Sequence, residues 1–251
     1  MRPKPSTINH QPSIFNHQPF QTMQTSLVVF DIAGTTVTDN DSVNTAFSGA
    51  FEKAGYPVVP AEINFIMGYR KIEAIKILLE KFYPDQLTNE ALIQQIHNQF
   101  TEDMCSYYLQ TQDLHPLPFA EEMFYLLHAN NIKIGLDTGF TKIITDSIMD
   151  RLGWIKNGLV DVVVSSDEVP QGRPHPFMIR SIMDQLNLDD VKQVVKVGDT
   201  EVDIAEGRNT GCGLIVSVTT GSYSREELEQ FSPDYIIGSL AELPAILNLK
   251  V

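Results

Sequence analysis

Four short stretches of this chain hold residue types that can do chemistry, and each sits where a strand is expected to end. Asp31 closes the apolar run Leu27-Val28-Val29-Phe30 and is followed by Ile32-Ala33-Gly34-Thr35-Thr36. Gly34 permits a tight turn, and the amides and hydroxyls of Gly34, Thr35 and Thr36 could cup an anion. The second stretch, Asp137-Thr138-Gly139-Phe140, offers a hydroxyl beside a glycine-flanked amide, a sensible contact for phosphate. The third, Gly172-Arg173-Pro174, offers a guanidinium whose fork matches a phosphoryl group. The fourth, Gly198-Asp199-Thr200-Glu201-Val202-Asp203, places two carboxylates four apart at a helix start. Carboxylates in that setting suit Mg²⁺, which takes one or two of them together with substrate oxygens and water. Taken singly, these are helix caps, a solvated arginine and acids that complement a helix dipole. Taken together and in this order, they line one crevice.

That crevice requires a parallel sheet, and the chain supplies the pattern for one. Helical stretches at 120–129, 142–152, 176–186 and 202–210 alternate with apolar runs at 132–136, 159–164, 194–197 and 213–218. A last strand at 235–237 precedes a short helix at 240–247. Strand alternating with helix predicts an α/β fold with a doubly wound, Rossmann-like parallel sheet. Ligands of such sheets bind beyond the carboxyl ends of the strands. Residues 40–113 read differently: helices over 42–54, 69–82 and 89–109, and no strand between them. The expected organisation is a catalytic core of 26–39 and 114–251, with an all-helical cap of 40–113 inserted after the first strand.

Residues 1–25 are polar and carry four prolines and the echo Asn9-His10-Gln11-Pro12, Asn16-His17-Gln18-Pro19. They read as a disordered extension, with Met23 an alternative start and the two histidines weak metal candidates. The net charge of −14 argues against nucleic acid and anionic membranes as partners. No run is apolar enough for a signal peptide or a transmembrane span. Cys105 and Cys212 are too few for a disulfide framework and suit the reducing cytoplasm. Neither GxxxxGK[ST] nor GxGxxG occurs, so no nucleotide cofactor is expected. Phe47 and Phe51 form a candidate homodimer seam on the cap, core burial being the alternative.

The set Asp31-Ile32-Ala33-Gly34-Thr35-Thr36, Thr138-Gly139, Arg173-Pro174 and Gly198-Asp199 through Asp203 resembles the haloacid dehalogenase superfamily. The resemblance implies a hydrolase whose nucleophile, Asp31, forms an aspartyl-phosphate. It implies Mg²⁺ held by Asp31, the backbone carbonyl of Ala33 and Asp199, with Asp203 supporting the metal or Arg173. Thr138 and Arg173 would bind the phosphoryl group, and Gly34, Thr35, Met67 and Gly139 the rest of a small phosphorylated or phosphonate metabolite. Most phosphatases of the superfamily carry a second Asp two residues after the nucleophile; this chain has Ala33, which shuttles no proton. The form Asp-x-Ala-Gly-Thr-Thr is similar to the phosphonatase (phosphonoacetaldehyde hydrolase) branch, which cleaves a P–C bond after a cap lysine forms a Schiff base. Met67-Gly68-Tyr69-Arg70-Lys71 resembles that branch's lysine segment and nominates Lys71. The branch's histidine three residues later is Ala74 here, and its tyrosine after the second strand is Phe140. The alternatives are a phosphate-ester phosphatase resembling phosphoglycolate phosphatases, without imine chemistry, and a phospho-ligand-binding protein without turnover.

Overall fold

A computed structural model describes residues 24–250. Six strands form one parallel sheet: β1 (Leu27–Asp31), β2 (Lys133–Thr138), β3 (Val162–Ser165), β4 (Val194–Gly198), β5 (Leu214–Val218) and β6 (Tyr235–Ile237), in the order β3-β2-β1-β4-β5-β6. β1 is buried throughout, as a strand covered by helices on both faces must be. The chain winds outward from β1 to β3 and then returns to start β4 on the other side. The strand order therefore reverses between β1 and β4, where α/β sheets open their crevice. Register puts Asp31 level with Asp137, and Phe30 level with Val197, so the four chemical stretches meet at that point.

Four helices lie between β1 and the rest of the core: α1 (Ser42–Lys53), α2 (Pro60–Asn64), α3 (Lys71–Phe82) and α4 (Glu90–Gln110). The core continues with α5 (Ala120–Ala129), α6 (Lys142–Leu152), α7 (Phe177–Gln185), α8 (Glu201–Thr210), α9 (Arg225–Gln230) and α10 (Leu243–Ile246). One apolar cluster runs from the inserted helices to the sheet, including Phe47, Ile75, Phe100, Phe124, Trp154 and Val197. The start of α1 is held by a residue outside the helix: Asp39 Oδ1 accepts from the Ser42 amide (3.0 Å), the Ser42 hydroxyl (2.6 Å) and the Val43 amide (3.3 Å).

Several expectations shift. α3 begins at Lys71 rather than 69, because Gly68 is left-handed (φ +82°) and Arg70 is extended. β3 was expected over 159–164 and spans Val162–Ser165. Leu159 and Val160 fold back to the Trp154 carbonyl, while the Asp161 carboxylate accepts from the Ile134 amide at 2.9 Å. α9 was not expected, although Ser224 and Glu227 form a reciprocal capping box that the sequence spells out. The last helix is divided into a 3₁₀ turn, Leu240–Glu242, and α10. Phe47 and Phe51 are fully buried within the chain, Phe47 against Phe100 at 4.3 Å, so they offer no surface to a second copy. The extension expected at 1–25, with its histidines and Met23, lies outside the described residues up to residue 23. No helix among the described residues is long and apolar enough to cross a membrane.

Candidate active site

Asp31, Ala33, Asp39, Met67, Lys71, Thr138, Gly139, Phe140 and Asp199 line one cleft above β1. Its floor is a buried charge cluster. The Arg173 side chain has no solvent exposure; Nη1 lies 2.7 Å from Asp31 and 3.1 Å from Asp203, Nε lies 3.1 Å from Glu206, and Nη2 is bound to Asp137. Lys196 is equally buried and joins Asp137, Asp203 (3.1 Å) and Glu206 (3.3 Å). Burial alone would lower the basicity of both cations, yet the surrounding carboxylates carry both upward, so they stay charged. Those same cations hold the Asp137 carboxyl below its usual range despite burial.

The carboxylates outnumber these two cations, and the excess gathers at the cleft. Burial pushes Asp31 up to about 6, opposed by Arg173 and reinforced by Asp203. Asp199 is pushed well above the carboxylate range by burial and then by the charge of Asp31. Two cleft-facing carboxylates, one raised by burial and the other by burial and its neighbour's charge, fit a hard dication, and Ala33 stands in the same lining. Asp31, Asp137 and Asp203 also bring oxygens within 4.8 Å of one another, but Arg173 and Lys196 already occupy that space. Asp203, expected to support the metal or Arg173, stands with Arg173: its Oδ2 accepts from Thr200 and its Oδ1 faces the two cations. Arg173 lies beneath the cleft rather than in its lining. Nη1 is buried and makes no directed hydrogen bond, though it is ion-paired with Asp31 and Asp203.

The anion cup expected of the first turn is not formed. The amides of Gly34, Thr35 and Thr36 bond back to Val37 and Ile32. The Thr36 hydroxyl bonds to the carbonyls of Asp31 and Ile32, and the Thr35 hydroxyl donates to Asp199 at 3.2 Å. Neither Gly34 nor Thr35 lines the cleft. Their role is to close the turn and hold Asp199, whose other oxygen accepts from the Ser222 amide at 2.6 Å. Gly34 is left-handed (φ +84°), and a Cβ there would meet Gly221 Cα at 2.8 Å, so glycine is required twice over. Thr138 does face the cleft; its oxygen accepts from the Phe140 amide at 3.2 Å, leaving its own hydrogen free to donate.

Lys71 forms part of the roof. Its Nζ sits 5.0 Å from the Phe140 ring centroid, 5.6 Å from Phe47 and 5.8 Å from Phe100, and no carboxylate among the described residues pairs with it. Burial lowers it from 10.5 to about 8, with Asp31 and Asp39 opposing that shift and Arg173 adding to it. A seam of small residues brings this roof onto the floor. A Cβ on Gly139 would strike the Tyr69 carbonyl oxygen and lie 2.6 Å from the Gly68 carbonyl oxygen, and one on Gly68 would lie 2.5 Å from the Thr200 hydroxyl.

The sequence profile of the haloacid dehalogenase-like hydrolases matches residues 28–217. The chain belongs to this family. Over 226 residues it is 31% identical to a phosphonoacetaldehyde hydrolase of Bacillus mycoides, spanning 84% of this chain and 83% of that one. Over 257 residues it is 29% identical to the phosphonoacetaldehyde hydrolase of Bacillus cytotoxicus, spanning 90% and 96%. A solved structure of a phosphonoacetaldehyde hydrolase-like protein from Oleispira antarctica superposes with a TM-score of 0.77 over 94% of this chain and 95% of that one. At 24% identity that likeness shows the fold.

In this dehalogenase-like hydrolase, sequence reasoning missed Lys196 and Glu206, which lock Arg173 in place. The signal for Lys196 was legible: a lysine inside an apolar strand covered on both faces needs carboxylate partners. The aromatic roof of Phe47 and Phe100 comes from helices distant in sequence, and no local signal marks it.

Two outcomes are expected. Lys71 binds more protons unfolded than folded between pH 8 and 10.5, so its charged form costs stability at neutral pH, and the cost shrinks as pH rises through that window. Lys71→Met should therefore raise stability at pH 7 by on the order of 1–3 kcal/mol, measured by urea unfolding, with the gain fading above pH 9. Gly139→Ala should force the Tyr69 backbone off the floor, lowering turnover at least tenfold while circular dichroism remains that of the parent.

Proposed function

We propose that this chain is a Mg²⁺-dependent phosphonatase that cleaves the P–C bond of a small phosphonate aldehyde, phosphonoacetaldehyde being the first candidate. The observation that carries this reading is the buried amine of Lys71, ion-paired with no carboxylate among the described residues, in the same cleft as Asp31. An amine that forms an imine must be neutral to attack, and burial among aromatic rings favours the neutral form. At pH 7, an amine of pKa about 8 is neutral a few hundred times more often than an ordinary lysine. The kinship to enzymes named phosphonoacetaldehyde hydrolase supports the same reading.

Asp31, Asp199 and the Ala33 carbonyl would hold Mg²⁺, which when bound screens the phosphonate charge from the carboxylate nucleophile. The Lys71 amine adds to the aldehyde carbon, and loss of water leaves an iminium. Asp31 then attacks phosphorus; the P–C bond breaks and its electron pair flows into the iminium, giving an enamine on Lys71. Protonation at carbon and hydrolysis release acetaldehyde and free the lysine, while water cleaves the aspartyl-phosphate. Arg173, paired to one oxygen of Asp31, fixes the nucleophile, and Thr138 donates to the phosphonate. Ala33 is compatible with this course, because the leaving group is carbon with an internal electron sink and no alkoxide needs a proton. The two free cysteines accord with a cytoplasmic setting.

With Mg²⁺ present, the wild type should release phosphate from phosphonoacetaldehyde, and borohydride added with substrate should reduce an adduct onto Lys71. Lys71→Arg should lose both, and Asp31→Asn should lose phosphate release. The rate of trapping should rise with pH and level off near pH 8, because the neutral amine is the reactive form. Turnover of activated phosphate esters with no adduct on Lys71 would transfer the assignment to ester hydrolysis. Ligand binding with no turnover of either substrate would make the chain a phospho-ligand-binding protein.

A further inference from the structure

Imine formation needs a group that moves protons between nitrogen and oxygen, and the positions that might have supplied one hold Ala33, Ala74 and Phe140. Three carboxylates belong to the described residues lining the cleft: Asp31, Asp39 and Asp199. Asp31 is the nucleophile and Asp199 belongs to the metal side, where Thr35 and Ser222 hold it. The hydroxyls of Thr138, Thr200 and Ser222 in the same lining do not titrate near neutrality. His97, whose Nδ1 is buried without a partner, lies outside the lining, as does the Tyr69–Glu201 pair.

Asp39 has the placement that is missing elsewhere. It is half-buried, and its Oδ1 is fixed by Ser42 and Val43 at the start of α1, the helix that also carries Phe47 over the lysine. Its Oδ2 has no hydrogen-bond donor among the described residues. Its charge is felt at the Lys71 ammonium, in the direction of a nearby carboxylate. A carboxylate anchored by one oxygen and open at the other is built to exchange a proton without moving.

We propose that Asp39 is the catalytic acid–base of imine formation and imine hydrolysis at Lys71; this rests on the phosphonatase reading above. Through a water in the cleft, Asp39 takes a proton from the Lys71 ammonium, and the freed amine forms the C–N bond while Asp39 returns that proton to the carbonyl oxygen. It then takes the second proton from the carbinolamine nitrogen and delivers it to the departing hydroxyl. The C–O bond breaks, water leaves, and an iminium stands beside a carboxylate that ends as it began. The reverse sequence releases the aldehyde product.

The test is the rate of borohydride-trapped adduct formation on Lys71 in the full-length protein with phosphonoacetaldehyde and Mg²⁺. Asp39→Asn keeps an acceptor for the Ser42 and Val43 donors, so its Tm should match the wild type, whereas trapping should slow at least thirtyfold. Asp39→Ser also retains a capping oxygen and decides the matter should the Asn variant fold poorly. Added formate should restore a measurable part of the rate in Asp39→Ser and leave the wild type unchanged, which a purely structural role would not do. Trapping at the wild-type rate in either folded variant would overturn the assignment while leaving Lys71 chemistry standing. Absence of an adduct in the wild type itself would instead overturn the phosphonatase reading, and the inference with it.

Discussion

Everything at this site depends on keeping two cations charged in a place without water. Arg173 and Lys196 lie among carboxylates drawn from β1, β2 and α8, and each group is tolerable only because the others are there. Removing one member would leave its partners buried and unpaired, so the cluster acts as a unit. Its structural product is the anchoring of Asp31, the proposed nucleophile, through one oxygen held by a guanidinium from below. The negative charge left over faces the cleft, where a dication and an anionic substrate can answer it.

Above that floor, the inserted helices work by exclusion. Phe47 and Phe100 of these helices, with Phe140 of the core, surround an amine with rings rather than an ion-paired carboxylate, which withholds the usual reason for a lysine to stay protonated. Close approach at Gly139 to the Gly68 and Tyr69 carbonyls, and at Gly68 to the side chains of Thr200 and Val202, sets the height of this roof. Burial raises the Asp31 carboxyl and lowers the Lys71 amine, pushing both groups toward forms that an exposed pair would not adopt.

Much of this was legible in the chain. Alternating apolar runs and helical periods specified the sheet, because buried parallel strands leave little freedom in composition. Asp31, Thr138, Arg173 and Asp199 were nominated by their positions at strand ends or helix starts and Lys71 by the resemblance of its segment, and the fold gathers Asp31, Lys71, Thr138 and Asp199 in one cleft with Arg173 beneath it. What escaped was long-range. The partnership of Lys196 with Glu206 depends on the register of β4 against α8, and the turn of Gly34 to Thr36 closes on itself instead of on a ligand because its donors find nearer acceptors. Asp39 drew no notice in the sequence; its carboxylate holds the start of α1, and only the folded chain brings it into the same cleft as the lysine.

The division of the cleft into a floor of strand ends and a roof of inserted helices has an evolutionary consequence. Under the proposed function, the residues assigned to phosphorus, Asp31, Thr138 and Arg173, come from the core, while Lys71 and two of its three rings come from the insert. Substitutions at Phe47 or Phe100 would reshape the space for the organic half of a substrate while the nucleophile's surroundings stayed intact. Selection can therefore explore new leaving groups through one segment of the gene at a time, with the demanding charge cluster inherited unchanged.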